Sequence, residues 1–277
     1  MTGSFVEVAD RVLVLREPLL AVNVTLVLGD GEALLVDTLS TARQAAELAA
    51  AVRAVTADPL TLVNTHHHFD HCFGNATLAA DPPRPIWAHE LAAAALRDDP
   101  GRLHDEAYAE LRDGHPELAA ELAETILLAP TRTVHTEATL DVGGRRVLLR
   151  HPGRGHTDAD LVVQVPDADL LVAGDLVEQA GPPAFEDSYP LQWPDTLAEL
   201  LRWTTPATVV VPGHGEVVDA DFVRTQHAQL VELAWLIRAG HTGGAPPERI
   251  AADAPFPARP ALLAARRGYA ELNGTAG

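Results

Sequence analysis

The chain has 277 residues, 47% of them apolar and 21% charged, the balance of a globular protein rather than a disordered one. Its net charge of −19 argues against nucleic acid, which requires clustered positive charge, and against an anionic membrane surface for the same reason. All twenty basic residues are arginine, so Schiff-base, P-loop and Ser–Lys chemistries are excluded, and Cys72, the only cysteine, permits neither an intrachain disulfide nor a Cys-rich metal cluster. Phe5–Val8 and Arg11–Arg16 read as short strands. Val22–Leu28 and Ala33–Asp37 flank Gly29-Asp30-Gly31-Glu32, a hairpin signal. Ser40 or Thr41 can cap a helix running to Val55 with an Ala/Leu face. Leu60–Val63 is a short buried strand that leads into Asn64-Thr65-His66-His67-His68-Phe69-Asp70-His71.

Pro85–Ala88 reads as another strand, and His89–Leu96 starts a helix. Residues 98–130 turn acidic and Ala/Leu-rich, with a helix expected over Pro116–Leu128; we read them as an insertion. Val134–Leu140 and Arg145–Leu149 form a hairpin across Gly143-Gly144, and Leu161–Val165 and Leu170–Ala173 are strands. Thr196–Trp203 is a helix, Thr208–Val211 a strand and Phe222–Ala239 a long helix. A Pro/Ala-rich tail from residue 244 ends in a helix near Ala261–Leu272, so 244–277 is a C-terminal helical extension. Strands followed by helices, twice over, suggest one domain over 1–277, an α/β fold of two mixed sheets packed face to face with external helices. Periodicity alone leaves other α/β folds open.

Glu7, Asp10, Arg11 and Arg16 interrupt the place a signal peptide would take. No stretch reaches the ~18 apolar residues of a membrane span, so a cytoplasmic protein without membrane or nucleic-acid partners is the expectation.

The chemistry lies in imidazoles and carboxylates placed after expected strands. His66, His68, Asp70 and His71 follow Leu60–Val63. His156 stands in Gly153-Arg154-Gly155-His156-Thr157-Asp158, Asp175 in Ala173-Gly174-Asp175, and His214 in Pro212-Gly213-His214-Gly215. Divalent metals of borderline softness favour these donors, and strand ends hold them on a rigid frame open to solvent.

This ordered set resembles the metallo-β-lactamase superfamily over roughly residues 5–240, its His-x-His-x-Asp-His motif standing here as His66-His67-His68-Phe69-Asp70-His71. The resemblance implies an αββα sandwich and two zinc ions per chain, with iron or manganese as alternatives. It implies that His66, His68 and His156 hold the first ion, that Asp70, His71 and His214 hold the second, and that Asp175 bridges them. It also implies a metal-bridging hydroxide, with Asp70 as the catalytic carboxylate. The bridging residue is Asp175 rather than the Cys of one lactamase group, and His68 stands where flavodiiron relatives carry Glu. Asn64-Thr-His-His-His and Val36-Asp37-Thr38 look like glyoxalase II, lactonases, and polyketide thioesterases and cyclases. In that family Asp37 supports the ligand loop; a helix cap is the other reading.

His67, between two ligands, should point away from the metals. His89 reads as a packing or hydrogen-bonding residue and Cys72 as a buried inert thiol. Arg154 is either a surface residue or a partner for a substrate carboxylate. Phe185, Tyr189 and Trp193, in the aromatic segment after Asp175, are candidate substrate-binding walls. The expected activity is metal-dependent hydrolysis of a small-molecule ester, thioester, lactone or amide. A polyketide cyclase, aromatase or thioesterase is the alternative, and an iron-dependent oxygenase of a sulfur substrate a further one. β-Lactam hydrolysis is expected to be incidental. Sequence leaves the oligomeric state open.

Overall fold

The computed structural model describes residues 3–80 and 83–275. Four short apolar segments open the chain as an antiparallel meander: β1 (Val6–Ala9), β2 (Val12–Arg16), β3 (Asn23–Leu28) and β4 (Ala33–Val36). All four residues of β4 are buried, which suits an uninterrupted run of apolar side chains covered on both faces. Helix α1 (Ala42–Val55) carries the chain to β5 (Leu60–Val63), which pairs parallel with β4. Thr41, not Asp37, caps α1 through a reciprocal capping box with Gln44. Gln44, Ala45, Leu48 and Val52 bury one face of that helix against a core that includes Leu26, Leu35 and Leu62. Each fully buried Leu there contributes roughly 1.5–3 kcal/mol.

Two short helices, α2 (Phe69–Cys72) and α3 (Asn75–Ala79), follow the His-rich segment, then β6 (Ile86–His89) pairs parallel with β5. The expected insertion is helical. α4 (Glu90–Asp98) is capped by the His89 ring, α5 (Pro100–Leu111) by Asp99, and α6 (Pro116–Ala123) ends five residues before the expected Leu128. Leu103, Ala107, Leu111, Leu118 and Leu122 join Phe69 and Phe73 in one apolar cluster. β7 (Arg132–Val134) completes a seven-stranded sheet in the order β1 to β7.

The expected strand Val134–Leu140 is in fact two. Val134 ends β7, while β8 (Glu137–Val142) pairs with β9 (Arg145–Arg150) across Gly143-Gly144. β9 pairs with β10 (Val162–Val165), and β10 with the first residues of β11 (Leu170–Glu178), all antiparallel. With β12 (Val209–His214) the second sheet runs β12-β11-β10-β9-β8. Two sheets flanked by helices make the expected αββα architecture.

A buried arginine ties these strands to the first hairpin. Arg145 is 3% exposed and binds both oxygens of Asp167 through Nε, at 3.0 and 3.1 Å. Its Nη1 and Nη2 donate to the carbonyls of Asp10, Arg11 and Leu28 at 2.7–3.4 Å. A planar fork of five donors can serve that many acceptors at once.

By compactness the chain divides into two units, the first formed by residues up to His151 with Leu161–Val172, the second by Pro152–Asp160 with Ala173 onward. In the second unit α7 (Trp193–Leu201) and α8 (Ala220–Thr242) pack on one another, and α8 also packs on α9 (Pro247–Asp253) and α10 (Ala258–Leu272). Among the described residues no helix is long and apolar enough to cross a membrane.

Candidate metal centre

β5 ends at Val63 and delivers a run in which Asn64, Thr65, His66 and His67 are all buried. A polar frame holds this run in place. Asn64 and Asn75 exchange two side-chain amide bonds, at 2.8 and 3.0 Å. Thr38 donates through N–H and hydroxyl to the His71 carbonyl and through the hydroxyl to Asn75. The Cys72 thiol donates to the carbonyls of His67 and His68, each at 3.2 Å. Burial first, then the charges of Asp37 and Asp70, push that thiol well above its ordinary range, which fits the expected inert cysteine.

Asp37 is the hub. It is 1% exposed and adopts φ +67°, the left-handed region that Asp tolerates better than most residues. Oδ1 accepts from the Thr65 N–H at 2.8 Å, and Oδ2 accepts from the Thr65 hydroxyl at 2.9 Å and from His71 Nδ1–H at 2.8 Å. The Thr65 oxygen lies 3.0 Å from His66 Nδ1 and accepts its proton. One carboxylate therefore sets the tautomers of two imidazoles, directly for His71 and through a hydroxyl for His66. The His66 ring stands 4.7 Å from that of His68 and 4.3 Å from that of His71, and His71 Nε2 is 3.6 Å from Asp70 Oδ2. Within the first unit, His66 with His68, and Asp70 with His71, place donor atoms within 4.8 Å of one another.

In the second unit, Asp175 lies inside β11, not after it as expected. The strand runs on to Glu178 because every residue of it, Asp175 included, is buried on both faces. Asp175 Oδ2 stands 3.5 Å from His156 Nε2 and 3.3 Å from His214 Nε2. His156 donates Nδ1–H to the Ala184 carbonyl at 3.3 Å, so Nε2 is the nitrogen turned to Asp175. His214 is the last residue of β12, and its carbonyl accepts from Gln179 N–H at 3.0 Å. Gly213 passes so close that a Cβ there would sit 1.7 Å from Asp175 Oδ1, which explains the glycine beside His214.

These donor sets fit a divalent cation. They combine imidazole and carboxylate without thiolate, the mixture that suits zinc and its neighbours. In His66, His71 and His156 alike Nδ1 is engaged by an oxygen, which leaves Nε2 as the nitrogen that could bind a metal.

Of the three expected pocket walls, two are closed off by burial. Trp193 is 0% and Phe185 1% exposed. The indole N–H donates to the Leu176 carbonyl at 3.2 Å, and the ring packs on His156 and Phe185. Phe185 packs on Phe256 as well. Both brace the His156 loop from inside and present no face to solvent. Tyr189 differs from them: it is 7% exposed, with Arg154 over its ring, and it lines a cavity of the second unit. His89 behaves as expected, its Nδ1 accepting from Leu91 N–H and its Nε2 donating to the His135 carbonyl. His67 is buried beside His68. Sequence reasoning missed Thr65, Asn75 and Gly213. Only Gly213 carried a signal, its place beside a candidate ligand.

A family model described as the Metallo-beta-lactamase superfamily matches residues 18–214. The Metallo-beta-lactamase type 2 of Bacillus cereus is 29% identical over 163 residues, 57% of this chain and 52% of that protein. Its namesake from Bacillus sp. (strain 170) is 33% identical over 106 residues, 37% of this chain and 41% of that protein. The chain thus spans about half the length, or less, of the curated relatives it matches. A metallo-beta-lactamase from Pontibacter korlensis superposes at a TM-score of 0.66 and 22% identity, over 83% of this chain and 99% of that one. The DIM-1 metallo-beta-lactamase does so at 0.65 and 20%, over 83% and 99%. At these identities the structures share the fold.

Proposed function

We propose, because this chain belongs to the metallo-beta-lactamase superfamily, that it is a metal-dependent hydrolase of small acyl compounds: esters, thioesters, lactones or amides, the cyclic amides of β-lactams among them. The observation that carries the reading is Asp175, a buried carboxylate with two imidazole nitrogens within 3.5 Å of a single oxygen. In a hydrolase of this family His66, His68 and His156 would hold one zinc ion and Asp70, His71 and His214 a second, with Asp175 serving both.

Bound there, the ions supply Lewis acidity, lowering the pKa of a water toward neutrality and polarising the acyl carbonyl. The protein's own residues do the rest. Asp37 keeps the His71 and His66 rings in the tautomer that offers Nε2, and the Ala184 carbonyl does so for His156. Asp70 Oδ2, beside His71 Nε2, accepts the proton of the attacking water and returns it to the leaving group as the acyl bond breaks. Burial of Asp175 and Asp70 keeps competing water from their carboxylates. Phe185 and Trp193 are too buried to form the expected substrate walls, so the substrate class is defined by the acyl bond alone.

The zinc-loaded chain, offered a panel of chromogenic esters, thioesters, lactones and cephalosporins, is expected to hydrolyse at least one. Asp175→Ala should lower that rate by ~10²-fold or more. No turnover above the Asp175→Ala background on any member would overturn the proposal.

A further inference from the structure

A cavity of about 270 Å3 opens in the second unit between the segment before α7, helix α8 and helix α10. Arg154, Tyr189, Leu191, Gln192, Arg238 and Glu271 are among its lining residues. Most arginines of this acidic chain face a carboxylate, as Arg43, Arg102, Arg150 and Arg266 do. Arg154 and Arg238 make no such pair among the described residues. The Arg154 guanidinium lies 5.0 Å from the centroid of the Tyr189 ring, and Arg267 covers the same ring at 5.8 Å. Arg238 commits Nη2 to the Leu191 carbonyl at 3.3 Å, which leaves its other donors uncommitted.

Tyr189 is only 7% exposed, yet its hydroxyl has no hydrogen-bond partner among the described residues. Burial raises its pKa, with Asp158 and Asp187 adding to the rise and Arg154 and Arg267 opposing it; at neutral pH the phenol is a proton donor. Tyr189 lines the cavity, so this hydroxyl is available to donate to a guest there. The one acid that lines the cavity, Glu271, is engaged at both oxygens, by Leu191 N–H at 2.9 Å and Gln192 Nε2 at 3.0 Å.

We propose that this cavity binds a small organic anion, its carboxylate or phosphate group held by the Arg154 and Arg238 guanidiniums and the Tyr189 hydroxyl. Guanidinium forks match the oxygens of both groups, and Leu191 offers an apolar surface for the carbon chain. The site adjoins the loop that carries His156: Arg154 is two residues from that ligand, and Tyr189 N–H donates to the Gly155 carbonyl at 2.8 Å. The anion is therefore either the far end of an acyl substrate or a separate effector. The inference stands on the charges of the second unit and not on the proposed reaction.

Isothermal titration of the full zinc-loaded chain with succinate, and separately with inorganic phosphate, tests it. Saturable binding is expected for at least one of the two. Arg154→Gln and Arg238→Gln should each weaken it about tenfold or more, and Glu271→Gln should strengthen it. The metal-free chain should retain the binding. Absence of saturable binding to both anions overturns the proposal. So does binding that disappears with the metal and is unchanged by both arginine variants, since the anion then sits on zinc. A hydrolysed ester then distinguishes the two sources. If Arg238→Gln raises KM for a carboxylate-bearing ester and not for its neutral analogue, the anion is the substrate's own. If succinate or phosphate alters kcat for the neutral ester, it is an effector. Titration decides the site even if no ester is hydrolysed, so its failure and that of the hydrolase reading are separate results.

Discussion

Replacing Asp37 by Asn should separate metal binding from folding. The carboxylate accepts three bonds at 2.8–2.9 Å from Thr65 and His71. An amide keeps one oxygen for the Thr65 N–H but turns an NH2 toward two groups that were themselves donors. The Thr65 hydroxyl must then rotate and donate to His66 Nδ1, and His71 must become an acceptor at Nδ1. Both rings move their proton to Nε2, the nitrogen that coordination requires. In the metal-free chain this is nearly free, because a neutral imidazole can exchange tautomers. Burial is also the largest influence on Asp37 and raises its pKa, outweighing His71 and Thr65. The ionised carboxylate is therefore a liability to the metal-free fold at pH 7: the stability associated with its proton is complete below about 3.8 and is lost as pH rises through the higher folded value. Asn removes that charge. We expect the metal-free variant to match the parent in urea denaturation or exceed it. Zinc affinity, measured by competition with a chromophoric chelator, should fall roughly 10–100-fold. Thr65→Val should lower it less, since only His66 loses its orienting partner. Affinity in Asp37→Asn within about threefold of the parent, a difference near 0.6 kcal/mol, would refute the wiring.

Gly213→Ala should lower the zinc content found by elemental analysis, because its Cβ would occupy the space of Asp175 Oδ1; full stoichiometry would show that the carboxylate is free to move. Trp193→Ala empties a fully buried site and loses the bond to Leu176, so a stability loss of about 3–5 kcal/mol in urea is expected. A KM change without destabilisation would instead return Trp193 to the pocket wall. Cys72 should resist iodoacetamide in the native chain, its thiol buried and its pKa raised. Because the unfolded thiol ionises first, stability should decline as pH climbs past its ordinary value near 9. Rapid alkylation at pH 8 without unfolding would contradict the burial.

The fold was legible wherever local pattern and tertiary environment agree. Leu60–Val63 begins and ends where alternation and burial place it, and α1 starts at one of the two expected caps, Thr41. Disagreement arose where burial overrides local punctuation. Gly174-Asp175 reads as a strand end, but β11 is covered on both faces and continues to Glu178. α5 and α9 begin at prolines in polar stretches, where a loop is the simpler reading. The aromatic segment was misjudged for a related reason: composition shows that Phe185 and Trp193 are large and apolar, not which way they face. In the candidate centre, the seven side chains were legible as types in order. Their support was not, because Thr65, Asn75 and the Ala184 carbonyl act through single hydrogen bonds that leave no spacing to read.

Arg145 fastens the first hairpin mainly by its backbone, through the carbonyls of Asp10 and Arg11 and, at the end of β3, of Leu28, while the side chains of Asp10 and Arg11 remain 74% and 45% exposed. Carbonyl oxygens are the same whatever residue bears them. Sensitivity to substitution at this junction should therefore be lopsided. Changes to the exposed Asp10 and Arg11 side chains that keep the turn's backbone, including φ +53° at Arg11, should leave the joint intact, whereas Arg145→Lys should loosen it, since lysine cannot span the same acceptors. Among divergent relatives with this hairpin, an arginine facing a variable turn would be the trace of that asymmetry, and a comparison of the two positions would find no covariation between them.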